Sequence, residues 1–206
     1  MLHVWGRISS INVRKVVWTV QELEQTMQRT DAGGQFGLVR EDDYLRRNPN
    51  GLVPLLEDGD VRLWESNVIV RYLCARYAPG RLYPEALPAR FDAERWMDWQ
   101  QTTMNPAGRG AFWQIVRTPA EQRSEAVIAA SIAAMEPLLD VLDQHLAGQP
   151  YMSGDSFTMA DIPVACDVHR WYALPIERRG WPHVERWFKL LAERPSARGV
   201  LDFPLS

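Results

Sequence analysis

Pro79-Gly80, Pro84 and Pro88 fall within ten residues of one another. Neither a helix interior nor a central strand tolerates that density, because each proline removes a backbone donor and fixes φ. Whatever folds before residue 79 must stop there. The chain is 206 residues long and 46% hydrophobic, enough to bury the core of one large domain or two small ones. The two sides of the proline cluster differ in pattern: short strand-like runs mixed with helical periodicity before it, almost pure helical periodicity after it. The expected organisation is therefore a mixed α/β domain over 1–78, a linker over 79–88 and an all-helical domain over 89–206.

Charge and cysteine usage exclude several classes of function. Lys plus Arg total 23 against 26 Asp plus Glu, so no basic surplus exists to neutralise a nucleic-acid backbone. Cys74 and Cys166 form neither a disulfide framework nor a metal spacing, and His3, His145, His169 and His183 share no ligand spacing, so no metal site is expected. The N-terminal residues Met1 to Arg7 lack the basic and apolar regions of a signal peptide, and no apolar run reaches the about 18 residues of a membrane span. These features read as a soluble cytoplasmic protein with no membrane partner.

In the first segment the apolar run Leu2 to Trp5 leads into Val13, Val16, Val17 and Val20, which recur on one helical face. Thr26 to Thr30 supplies a weak second strand. Val53 to Leu56 and Val61 to Trp64 flank Glu57-Asp58-Gly59-Asp60, whose Asp-Gly pair suits a tight hairpin. Ser66 is placed to cap a helix carrying Ile69, Tyr72, Leu73 and Arg76. The order β-α-β-(α)-β-β-α folds into a mixed four-stranded sheet under right-handed crossover rules.

Beyond the linker a long helical pattern runs from Ala89 to Val116, with Pro106, Gly108 and Gly110 expected to kink it. Thr118-Pro119-Ala120-Glu121 reads as a capping box opening a helix that continues to Leu146 and ends at Gly148, bent at Pro137. Thr158 to Ile162 reads as a second box, with Thr158 as cap, Asp161 at its third position, and Phe157 and Ile162 as the staple. A last helix starts at Pro182, turns Val184, Trp187, Leu190 and Leu191 inward, and stops at Arg194-Pro195. Trp96, Trp99, Trp171, Trp181 and Trp187 are expected in the core.

The chemistry concentrates around Asn48-Pro49-Asn50-Gly51-Leu52-Val53-Pro54-Leu55. A cis Val53-Pro54 bond would turn the Val53 amide and carbonyl outward, where an extended peptide ligand can pair with them; only about 5% of X-Pro bonds are cis. Glu65-Ser66 at a helix start suits the two ends of an amino acid: backbone amides and the Ser66 hydroxyl for its carboxylate, Glu65 for its ammonium. Ser9-Ser10-Ile11-Asn12 enters the first helix, whose positive end favours an anion such as a thiolate. On the residues alone, Ser10 reads equally as a helix cap.

Five stretches carry a resemblance across essentially the whole chain: Ser10 to Val16, Asn48 to Pro54, Trp64 to Ile69, Thr158 to Asp161, and Pro182 through Trp187 to Pro195. In this order they resemble the cytosolic glutathione S-transferases, with a thioredoxin-like N-terminal domain and an all-helical C-terminal domain. The resemblance implies a cis Pro54, Val53 pairing with the cysteinyl backbone of glutathione, Glu65 and Ser66 holding its γ-glutamyl end, and Ser10 as the sulfur partner of a serine-type, theta-like class, with Asn12 or Ser9 as alternatives. Leu52 stands where the family often has a basic residue for the glycyl carboxylate, so Arg40 or Gln35 are candidate replacements. Asn12 together with Gly33-Gly34-Gln35-Phe36 is similar to the bacterial nu-like group. Arg109 and Trp113, on the helix that faces the sulfur in this family, are the candidates for the electrophile site. The implied activity is conjugation of glutathione, as co-substrate, to small hydrophobic electrophiles in detoxification. The alternatives are glutathione-dependent disulfide or peroxide reduction, or non-catalytic binding. A homodimer is also implied.

Overall fold

The computed structural model describes residues 1–206. Its N-terminal half holds a four-stranded sheet in the order β2-β1-β3-β4, formed by β1 (Leu2–Trp5), β2 (Met27–Thr30), β3 (Leu55–Asp58) and β4 (Val61–Trp64). β1 and β2 are parallel, with Leu2 opposite Met27, whereas β3 runs antiparallel to both β1 and β4. The hairpin is tighter than its sequence suggests: Glu57 and Asp58 stay in β3, leaving Gly59-Asp60 as a two-residue loop with positive φ at Gly59.

Helix α1 (Ile11–Glu22) joins the two parallel strands, and its valines Val13, Val16, Val17 and Val20 are all buried. Helix α2 (Asp42–Arg47) precedes β3, and α3 (Ser66–Tyr77) follows β4, packing Ile69, Val70 and Leu73 beside α1. This is the thioredoxin-like βαβαββα arrangement. Ser66 is the first residue of α3 rather than its cap; Glu65 takes the cap position at φ 70°.

The C-terminal half is helical: α4 (Leu87–Trp99), α5 (Asn105–Phe112), α6 (Glu125–Leu146), α7 (Asp161–Tyr172) and α8 (Pro182–Ala192). Between α4 and α5 the helix continues as a π-turn over Gln100–Met104, and a second π-turn over Trp113–Arg117 extends α5. The irregularity expected at Pro106 thus lies one turn earlier, where the missing proline amide loosens the ladder. Gly108 and Gly110 do other work. A Cβ at Gly110 would lie 3.1 Å from Ser131 Oγ, and one at Gly108 would lie 3.5 Å from the Trp171 ring, so these glycines set the close approach of α6 and α7.

Two further expectations are corrected. α6 starts at Glu125, capped by Ser124 Oγ accepting from the Val127 amide, because the Thr118 hydroxyl donates back to the Trp113 carbonyl and Ala120–Gln122 forms only a 3₁₀ turn. Leu190 is exposed on α8, whereas Val184, Trp187 and Leu191 are buried. The Thr158 to Ile162 box is present in reciprocal form: the Asp161 carboxylate accepts from the Thr158 amide, and Thr158 Oγ1 accepts from the Ala160 amide. Asp161 also accepts from the Met152 amide and the Trp187 indole, tying α7 to α8. One hydrophobic cluster runs from Val4 and Val16 through Leu73 and Met97 to Val164 and Trp187, so sheet and helices share a continuous interior. No helix is long and apolar enough to cross a membrane.

Candidate functional site

Two concavities meet at the start of α1. The smaller, about 120 Å³, is a cleft between the Asn48–Pro54 loop, Trp64-Glu65-Ser66, Asn12 and Gln101. Its loop is held by local bonds: Tyr44 Oη and Asn48 Nδ2 both donate to the Leu52 carbonyl at 2.6 and 2.8 Å, and Asn48 Oδ1 accepts from the Asn50 amide. Gly51 turns the chain at φ 59°, a conformation that costs glycine little. The Val53-Pro54 bond is cis. Val53 lies outside β3, and neither its amide nor its carbonyl has a backbone partner in the surrounding turns, so both can pair with an extended ligand. Leu52 is 61% exposed and contributes an apolar surface where a basic residue was sought.

Opposite the loop, Glu65 combines an exposed carboxylate with a backbone at φ 70° and ψ 108°, a conformation that a non-glycine residue keeps only when its surroundings impose it. The surroundings here are buried: Asn67 donates to the Met97 carbonyl at 2.7 Å, and Ile69 and Val70 are anchored in the core. Ser66 Oγ donates to Asn12 Oδ1 at 3.3 Å, which links the cleft to α1. Gln101 closes the cleft from the helical half. Its Oε1 accepts from the fully buried Lys15 ammonium at 3.1 Å, so its amide NH₂ is left as a donor. Burial lowers Lys15 to about 8, partly offset by Asp167. Asn48, Asn50 and Trp64 belong to stretches already singled out in the sequence, whereas Gln101 escaped it, because no local pattern marks a residue that reaches a site from across a domain junction.

The larger cavity, about 310 Å³, is walled by the β1–α1 loop, α5 with its π-turn, α7 and the C-terminal tail. Ser9, Ser10 and Ile11 form one side; Phe112, Trp113 and Arg117 the other; Cys166, Arg170 and Leu205 complete it. Ser10 occupies the cap position of α1, but its hydroxyl makes no capping bond; its carbonyl receives the Val13 and Arg14 amides instead. The hydroxyl is therefore available to a ligand, beside unpaired amides at a helix N-terminus. Burial pushes the Cys166 thiol up to about 12, which keeps it protonated and unreactive at neutral pH.

The structure thus brings Asn12, Leu52, Val53, Pro54, Glu65 and Ser66 to the cleft, and Ser10 and Trp113 to the adjoining cavity. It does not bring the remaining three. Arg109 is exposed and outside the cavity lining, Gln35 is exposed on a 3₁₀ turn, and Arg40 lies with its guanidinium beside Gly51 without lining the cleft. No group of three His, Cys, Asp or Glu side chains lies close enough to hold a metal ion.

A thioredoxin-like sheet that presents a free backbone pair to a peptide, with a helical half covering its edge, defines the glutathione-binding transferase class. Comparison with known proteins agrees. The family model described as "Glutathione S-transferase, N-terminal domain" matches residues 1–75, and "Glutathione S-transferase, C-terminal domain" matches residues 125–190. Glutathione S-transferase GstB of Escherichia coli (strain K12) is 42% identical over 208 residues, covering 100% of both chains. The crystal structure of the theta class glutathione S-transferase from Xanthomonas axonopodis pv. citri with glutathione bound superposes with a TM-score of 0.96 at 43% identity, covering 100% of this chain and 99% of that one. Elongation factor 1-gamma 1 of Oryza sativa subsp. japonica is 33% identical over 163 residues, 77% of this chain but 38% of that protein. The chain belongs to the glutathione S-transferase family.

Proposed function

We propose that this chain conjugates glutathione to small electrophiles with Ser10 as the sulfur partner. Glutathione lies extended along Val53-Pro54, its γ-glutamyl ammonium on Glu65, and its γ-glutamyl carboxylate on Ser66 and the Gln101 amide. The cysteinyl sulfur then reaches the start of α1, at the boundary between cleft and cavity. Its proton leaves to solvent, the Ser10 hydroxyl and the helix end stabilise the thiolate, and the thiolate attacks the electrophilic carbon while the leaving group departs with its electron pair. The observation that carries this reading is the Ser10 hydroxyl, which sits at a helix N-terminus without capping it. Asn12 instead faces Ser66, which suits it to positioning the γ-glutamyl side.

The same reading places the protein in the cytoplasm, where glutathione is kept reduced, and pairs it as a homodimer. Val68 on α3 and Phe91 on α4 are exposed apolar residues, and these are the positions that a partner subunit would cover.

The test is the ultraviolet thiolate absorbance of bound glutathione against pH. The bound thiol is expected to ionise below its ordinary value of about 8.5, and Ser10→Ala to raise the pKa by about one unit, with a smaller change in Asn12→Ala. Binding with an unshifted thiol in all three proteins would overturn the thiolate mechanism and favour the disulfide-reductase alternative.

A further inference from the structure

The charged lining of the larger cavity is arginine throughout: Arg7, Arg14, Arg117 and Arg170, with no carboxylate among its walls. Two of these are accounted for within the fold. Arg170 is paired with Asp167 and bonds Asn105, and Arg14 donates to the carbonyls of Ile8 and Pro204 and to His169. Arg7 and Arg117 are different. Neither guanidinium has a hydrogen-bond or ion-pair partner in the chain; Arg117 lies over the Phe112 ring at 5.8 Å, and Arg7 lies against the Gly33-Gly34 backbone. That glycine pair is what admits it: a Cβ on Gly33 would stand 2.7 Å from Arg7 Nη1, and one on Gly34 3.1 Å from its Nε.

Charge adjacent to apolar walls is costly unless it is paired. Burial and the neighbouring Arg117 charge both lower the Arg7 pKa, so the two groups repel one another across the cavity. Trp113, Phe112, Ile11 and Leu205 supply the apolar remainder. A planar guanidinium offers the two parallel donors that fit a carboxylate.

We propose that the second substrate is an electrophile with an apolar body and an anionic group, and that Arg7 and Arg117 together bind that group. This rests on the transferase reading and deepens it. The arginines act on recognition: they orient the electrophile with its anionic end away from Ser10 and its reactive carbon toward the sulfur.

The experiment compares S-(4-carboxybenzyl)glutathione with its benzoate methyl ester by titration calorimetry, using the full-length protein, Arg7→Gln and Arg117→Gln. The two adducts share the glutathione part and the aromatic ring, so their affinity ratio isolates the anionic group. The acid is expected to bind at least tenfold more tightly than the ester, and each substitution to reduce that ratio toward unity. Arg117 is exposed, so its variant tests the idea even if Arg7→Gln perturbs the loop packed on it. Equal binding of acid and ester, or a ratio that survives both substitutions, overturns the arginine clamp while leaving glutathione transfer standing. Failure of both adducts to bind overturns both the clamp and the transferase reading.

Discussion

Glu65 holds the least favourable backbone conformation of the site, and its consequences separate stability from binding. A non-glycine residue at φ 70°, ψ 108° costs of the order of 1–3 kcal/mol. Glu65→Gly is therefore expected to raise the unfolding free energy by about 1 kcal/mol while weakening glutathione binding at least tenfold; denaturant melts and calorimetry read the two effects independently. His169 sets a pH limit. Its Nδ1 accepts from the buried Arg14 guanidinium at 3.0 Å, and burial followed by the Arg14 charge lowers the imidazole to about 4. Between the ordinary histidine value and about 4 the unfolded chain binds the extra proton, so this contribution is full above pH 6.5 and is lost as pH falls toward 4. A stability-versus-pH series on wild type and His169→Gln should show the acid-side slope shallower in the variant. Val53 and Glu65 were legible in the sequence as cleft residues because X-Pro spacing and helix-start chemistry are local properties, whereas Ser10 reads there equally as a cap, and only the structure leaves its hydroxyl without a capping bond. Arg117 was not legible, and of the expected pair Arg109 and Trp113 only Trp113 lines the cavity, because the π-turns change which face of the helix meets it.

At the scale of elements, the α5–α6 contact illustrates what periodicity leaves ambiguous. Pro106, Gly108 and Gly110 read as breakers in a helical pattern, yet the two glycines are contact points, and Ser131 on α6 touches α5 through the Ala107 carbonyl and the Ala111 amide. A glycine signals either a bend or a close neighbour, and only the partner element distinguishes the two. Gly110→Leu is expected to cost about 1–3 kcal/mol by overpacking against Ser131 and Val127, visible as a lower denaturation midpoint with unchanged m. The displaced start of α6 has a similar origin. Thr118-Pro119 carries a capping pattern, but Arg123 bonds the Thr118 and Ile115 carbonyls and closes the preceding turn, so the helix begins at the next available cap, Ser124.

For the whole molecule, the succession of elements and the division into a sheet half and a helical half followed from pattern, because most of the strands and helices keep their period over several residues. The junction between halves did not. Lys15 is buried between them, donating to Gln100 and Gln101, while Gln100 donates to Asp167 and Asp167 pairs with Arg170. This chain of bonds runs from the glutathione cleft to the cavity wall and involves residues far apart in sequence. At this scale the proposed homodimer gives a direct prediction: Phe91→Asp places a charge on an exposed position of α4 and should move the protein to the monomer position in gel filtration. The position of α1 has one more consequence. Its first turn is the shared wall of two compartments, one built mostly from residues 48–66 and the other from Arg7 through Ile11, the helical half and the tail. New chemical tastes can therefore be acquired by remodelling positions such as Phe112, Trp113 and Leu205 without disturbing the grip on glutathione. Directed evolution toward unfamiliar electrophiles should accumulate its changes on that side of the wall.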